Sequence, residues 1–138
     1  MMAIETEKYE ILLLTHGGWG EALTEKLEMI IGKITGVSEI ALNPTDTSEN
    51  FFEKIEEKVK EMPNHSLIIT DIAGGTTSNV ALSLSRKYSI QILSGLNSMM
   101  LMEAVMRQNR PFTEESVKEI REAALMSCQH LKLPKSYQ

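Results

Sequence analysis

A single cysteine, Cys128, rules out any disulfide within the chain. Positive charge is also short: 14 Lys and Arg stand against 19 Asp and Glu, a net charge of −5. A nucleic-acid backbone needs a basic face, so that class of partner is excluded. No apolar run approaches the roughly 18 residues of a membrane span. The first residues, Met1-Met2-Ala3-Ile4-Glu5-Thr6-Glu7, lack the basic and apolar regions of a signal peptide. Internal repeats, low-complexity tracts and interdomain linkers are missing as well. These absences point to one cytoplasmic domain spanning 1–138, long enough for a single core.

What is present is an alternation of apolar runs and helical stripes. Tyr9–Thr15 reads as a buried strand, because its apolar residues are continuous. Trp19, Leu23, Leu27, Ile30 and Ile31 recur at helical spacing, and Gly32 is a stop signal. Val37–Leu42 is a second strand. Asp46 with Glu49 marks a helix start, and Phe52, Ile55, Val59 and Met62 form its buried stripe. Ser66–Thr70 and Ile90–Leu93 are the third and fourth strands, with a helix near Ser78–Lys87 between them. Met99, Met102 and Met106 open another stripe, and Thr113 with Glu114 and Glu115 starts a last helix.

Strands alternating with helices imply an α/β fold: a three-layer, doubly wound, mostly parallel sheet. With strand order 2-1-3-4, the loops after the first and third strands diverge and open a crevice. His16 follows the first strand and Asp71 the third, each beside glycines. The pair would then face one crevice. Neutral imidazole is a nucleophile near pH 7, and a carboxylate on its other nitrogen fixes the tautomer and stabilises the charged ring. That arrangement leaves Nε2 of His16 to attack. The backbone amides of Gly17, Gly18, Gly74 and Gly75 and the Thr76 hydroxyl are candidates to hold a phosphate. No metal or organic cofactor is required.

Residues alone leave plainer readings open. His16 could be a loop histidine in a satisfied hydrogen bond, Asp71 a turn residue, and the glycines mere turn formers. His65 and His130 read as surface residues, Cys128 as a buried small hydrophobe, and Trp19 as packing the first helix onto the sheet. Asp71, if it lines a solvated crevice, should be replaceable at a stability cost within about 1 kcal/mol.

Three blocks, each after an expected strand, carry a resemblance. They are Thr15-His16-Gly17 with Glu21-Ala22-Leu23, Asp71-Ile72-Ala73-Gly74-Gly75-Thr76 with Asn79, and Ser94-Gly95-Leu96-Asn97 with Met100-Leu101 and Glu103. Over nearly its whole length the chain resembles enzyme IIA of the mannose–fructose–sorbose type in the bacterial sugar phosphotransferase system. The resemblance implies a phosphohistidine at His16, oriented by Asp71. It implies phosphate taken from the phosphocarrier protein HPr and passed to a cognate IIB protein, with the membrane met only through the transporter subunits. It also implies a homodimer, in some members through an exchanged C-terminal antiparallel strand, for which Leu131-Lys132-Leu133 is the candidate. Two positions depart from the family pattern: Thr77 and Ser98 stand where Pro is frequent, near helix starts, where Ser or Thr can cap instead.

Rival chemistries lack their residues. A histidine phosphatase would need an arginine where Thr15 stands, and no arginine precedes Arg86. A phosphate-loop nucleotidase would need Gly-Lys-Ser/Thr, which Gly17-Gly18-Trp19-Gly20 does not supply. A receiver domain would need an acidic cluster at His16. The serious alternative is a regulatory module, or a phosphodonor subunit of a dihydroxyacetone kinase, on the same fold.

Overall fold

The computed structural model describes residues 8–135. The segment judged free of signal-peptide features, residues 1–7, lies outside them. Four strands, β1 (Ile11–His16), β2 (Val37–Leu42), β3 (Ser66–Thr70) and β4 (Ile90–Ser94), form one sheet in the order β2-β1-β3-β4. Every pairing is parallel. The described residues also form five helices: α1 (Trp19–Ile31), α2 (Ser48–Glu61), α3 (Thr76–Ser85), α4 (Ser98–Met106) and α5 (Glu114–Met126).

The continuous apolar run of β1 is explained by cover on both sides. Side chains alternate across a strand. Ile11 and Leu13 join one core with Leu27 of α1, Leu101 of α4 and Ile120 of α5. Leu12 and Leu14 join another with Phe51 and Ile55 of α2 and Val80 of α3. All four β1 residues are fully buried. A parallel sheet needs such cover, and the sequence therefore shows no alternation there.

Helix ends follow their local chemistry, with some changes from expectation. Thr47, not Asp46, caps α2, accepting from the Asn50 amide. Asp46 instead accepts from the Asn43 amide and closes the preceding turn. Phe51 is the fully buried member of the Phe51-Phe52 pair, and Phe52 only packs against that core. In α4 the buried face is Met100, Leu101 and Ala104, while Met106 is exposed, so the methionine stripe is rotated from the expected one. Thr113 caps α5 as expected, paired with Ser116 in a reciprocal box. Ile30 and Cys128 are exposed. Ile30 lies on the outer face of α1, and Cys128 follows the last turn of α5, beyond the reach of either core. Leu131 and Leu133 are also exposed, in a stretch with no strand structure of its own. No helix among the described residues is long and apolar enough to cross a membrane.

The winding reverses at β1. One connection leads outward to β2 and the next returns past β1 to β3. The helix after β1 covers the first core and the helix after β3 covers the second. The two loops therefore part at the carboxyl ends of neighbouring strands, where a crevice must open.

Candidate functional site

His16 is the last residue of β1, and Asp71 follows the last residue of β3. The Asp71 amide extends the ladder by donating to the Leu14 carbonyl at 3.1 Å. Its carboxylate folds back onto β1. Oδ2 accepts from the His16 backbone N–H at 2.7 Å and lies 2.8 Å from Nδ1 of the His16 ring. The two side chains thus touch, rather than facing each other across a gap. Oδ1 accepts from the Ile72 amide and the Thr77 hydroxyl, each at 2.9 Å.

Asp71 is 8% exposed, whereas the His16 side chain is 45% exposed. Burial alone would push the Asp71 pKa up. The bonds from the His16 amide and ring and from Thr77 outweigh it and hold the carboxyl below its ordinary 3.8. An ionised carboxylate only accepts, so Nδ1 of His16 carries a proton toward Oδ2. Four hydrogen bonds to a buried carboxylate argue for a larger cost of replacing Asp71, about 1–3 kcal/mol, which thermal melts of Asp71→Asn would measure.

The two helices beginning at the crevice differ at their N-termini. The N-cap of α1, Gly18, offers no side chain. Glu39 of β2 fills the place: it accepts from the amides of Gly20 at 2.7 Å and Glu21 at 2.9 Å, and from the buried Thr15 hydroxyl at 2.5 Å. A Cβ on Gly20 would stand 2.5 Å from that carboxylate, so the close approach needs glycine. Glu39 was not singled out from the sequence, because one acid in Val37–Leu42 reads as an exposed strand position. Gly17 and Gly18 both take positive φ, at 81° and 91°, turning the chain sharply after His16. The Gly17 amide donates to the Leu42 carbonyl at 3.0 Å. The expectation that it is free to hold a phosphate is thereby corrected.

The start of α3 stays open. Its N-cap, Gly75, has no side chain, and the first helical bond runs from the Asn79 amide to the Gly75 carbonyl. The amides of Thr76, Thr77 and Ser78 precede that ladder. A Cβ on Gly75 would lie 3.6 Å from Cε1 of His16, so this helix end abuts the ring. Neither Thr77 nor Ser98 acts as a cap: Gly75 and Asn97 hold those positions. A cleft of about 470 Å³ lined by His16, Gly17, Leu42, Asn43, Pro44 and Asp46 opens beside the histidine. Trp19, the first residue of α1, is 42% exposed. His65 and His130 are exposed; His65 precedes β3, at the opposite end of that strand from Asp71, and His130 lies beyond α5. Among the described residues no group of three His, Cys, Asp or Glu is placed to hold a metal ion.

A family model, EIIA-man (PTS system fructose IIA component), matches residues 10–121. No curated protein gives a significant match. Among solved structures, the chain is similar to a mannose/sorbose-specific IIA subunit of the phosphotransferase system from Enterococcus faecalis. The TM-score is 0.84 at 24% identity, covering 94% of this chain and 98% of that one. It is similar to the phosphotransferase system component EIIA from Streptococcus agalactiae, with TM-score 0.79 and 29% identity over 88% and 95% of the two chains. A PTS IIA protein associated with the fucose utilization operon of Streptococcus pneumoniae shares the fold, with TM-score 0.78 and 24% identity over 92% and 96%.

The lowered Asp71 pKa has a consequence for stability. Between the folded and unfolded values the unfolded chain binds more protons, so stability rises with pH there. The contribution is complete above 3.8 and is lost as pH falls through the lowered folded value. Thermal melts of wild type should therefore decline below pH 3.8 more steeply than those of Asp71→Asn. Parallel declines would mean that Asp71 carries no such linkage.

Proposed function

This chain belongs to the EIIA-man family of PTS fructose IIA components, whose role is sugar phosphotransfer, and we propose that it fills that role by carrying a phosphoryl group on His16. The reading rests on one observation above all: the Asp71 carboxylate bonded to Nδ1 of a half-exposed histidine. Nε2 attacks the phosphorus of phospho-HPr in line. A bond from Nε2 to phosphorus forms as the bond to the donor breaks, and the donor leaves with its electron pair. Asp71 stabilises the positive ring that results, and the Nδ1 proton stays in place. The reverse sequence hands the group to a cognate IIB protein.

The three phosphoryl oxygens need stabilisation without a nearby arginine. The Thr76, Thr77 and Ser78 amides and the partial positive charge of the α3 N-terminus are suited to that work, with Gly74, Gly75 and the Thr76 hydroxyl shaping the approach. Gly18 offers an amide from the other loop. We place the protein in the cytoplasm as one IIA domain over 1–138, meeting the membrane only through its partners. We also infer a homodimer. Its support is the exposed Leu131 and Leu133, which could pair as a strand with a sheet edge of a second copy.

Incubation with phosphoenolpyruvate, enzyme I and HPr should label wild type, His65→Ala and His130→Ala, and should leave His16→Ala unlabelled. Label that persists on His16→Ala would end the reading. Onward transfer to IIB distinguishes a transport component from a regulatory or kinase-donor module, which would accept phosphate without passing it on to IIB. Asp71→Asn presents its NH₂ to donors whichever way it turns, since each carboxylate oxygen meets two of them. Its transfer rate should fall by a factor on the order of 10² or more in rapid-quench assays. A rate within about threefold of wild type would make Asp71 a turn residue only. For the dimer, light scattering at micromolar concentration should give twice the chain mass of 15.5 kDa, and a monomer mass would refute it.

A further inference from the structure

The two oxygens of Asp71 have different duties. Oδ2 faces only His16, through the backbone amide and the ring. Oδ1 faces the Ile72 amide and the Thr77 hydroxyl. The Ile72 amide belongs to the next residue and moves with Asp71. Thr77 comes from α3, six residues on, and is the only side chain that donates to Oδ1 among the described residues. It is fully buried.

Its hydroxyl is not needed to fasten the helix. Ser78 does that, donating to the Ile72 carbonyl at 2.6 Å. The Thr70 hydroxyl in turn lies 2.7 Å from the Ser78 hydroxyl, whose single proton is already directed at Ile72. Ser78 thus ties α3 to the end of β3, and the Thr77 bond is left with one effect: it grips the carboxylate. We propose that Thr77 is a positioning residue of the phosphotransfer site, its hydroxyl holding Oδ1 so that Oδ2 stays aimed at the His16 ring. The proposal builds on His16 as the phosphoacceptor.

The grip has an electronic side. A donor to the ionised form favours that form, so losing it makes the carboxyl more basic. The groups around Asp71 leave few other influences. Its hydrogen-bond partners are His16 from β1, the adjoining Ile72 amide and the Thr77 hydroxyl from α3. β4 contributes Ser94, 3.4 Å from the Ser78 hydroxyl. Asp46 lines the cleft beside His16 and pairs with Lys54, and Glu39 is bound to Thr15 and the start of α1.

Thr77→Val keeps the side-chain shape and removes the donor, while Thr77→Ser keeps the donor. Two readouts decide the matter. The titration of the Asp71 carboxyl, followed by ¹³C NMR on the unphosphorylated protein, should move up by about half a unit or more in the valine variant and stay at wild type in the serine variant. In transfer from phospho-HPr, kcat should fall about tenfold for valine with KM unchanged, because Thr77 does not reach the surface the donor touches. Serine should restore kcat. An unmoved Asp71 titration, or a wild-type kcat in the valine variant, would overturn the proposal. If valine prevents folding, Thr77→Ser and Thr77→Ala, both lacking the methyl group, give the same comparison. If wild type takes no label on His16, the phosphotransfer reading fails, while the titration still decides whether Thr77 governs Asp71.

Discussion

One carboxylate oxygen, Asp71 Oδ2, receives both the backbone amide and the ring of His16. The rest of the site depends on that double contact. It fixes which ring nitrogen holds a proton, and it fixes the direction in which the other points. It exists because β1 and β3 are parallel neighbours with Leu14 opposite Thr70, which puts Asp71 level with Thr15 and its carboxylate within reach of His16. All of β3 and β1 up to Thr15 are buried, with two cores clamping them from opposite faces. Rigid strands, rather than mobile loops, therefore set the geometry, which suits a reaction sensitive to alignment.

The electrostatics of the crevice are divided between its two helices. The Glu39 carboxylate occupies the N-terminus of α1 and takes up the amides of Gly20 and Glu21, leaving less there for a second acceptor. The N-terminus of α3 has no side-chain cap and abuts the ring. In the proposed transfer this contrast favours a phosphoryl group on the α3 side, where the first amides of the helix and its N-terminal charge would hold it.

Much of this was legible in the chain. Continuous apolar runs marked β1 and β3, and Ser66–Thr70 and Val37–Leu42 fall where they were expected. The strand order 2-1-3-4 was an assumption consistent with the alternation, and the sheet has that order, which brings His16 and Asp71 together. The misses share a cause, which is that a one-dimensional pattern does not say what fills a particular space. Phe51 and Phe52 are one helical step apart, and periodicity could not choose between them. Glu39 gave no signal in the chain, because its partners are amides 18 or more residues away. Thr77 looked like a capping residue, while its hydroxyl turns toward Asp71 instead. Cys128 was read from the habit of its residue type, and only its place beyond α5 exposes it.

The central claim is that Asp71 holds the Nδ1 proton and leaves Nε2 as the atom that accepts phosphorus. The direct measurement is NMR of the phosphorylated protein with ¹⁵N-labelled histidine, in which ³¹P coupling identifies the bonded ring nitrogen. Phosphorus on Nε2 of His16, with Nδ1 still protonated, is the expected result. Phosphorus on Nδ1 would require the Asp71 bond to break and would contradict the account.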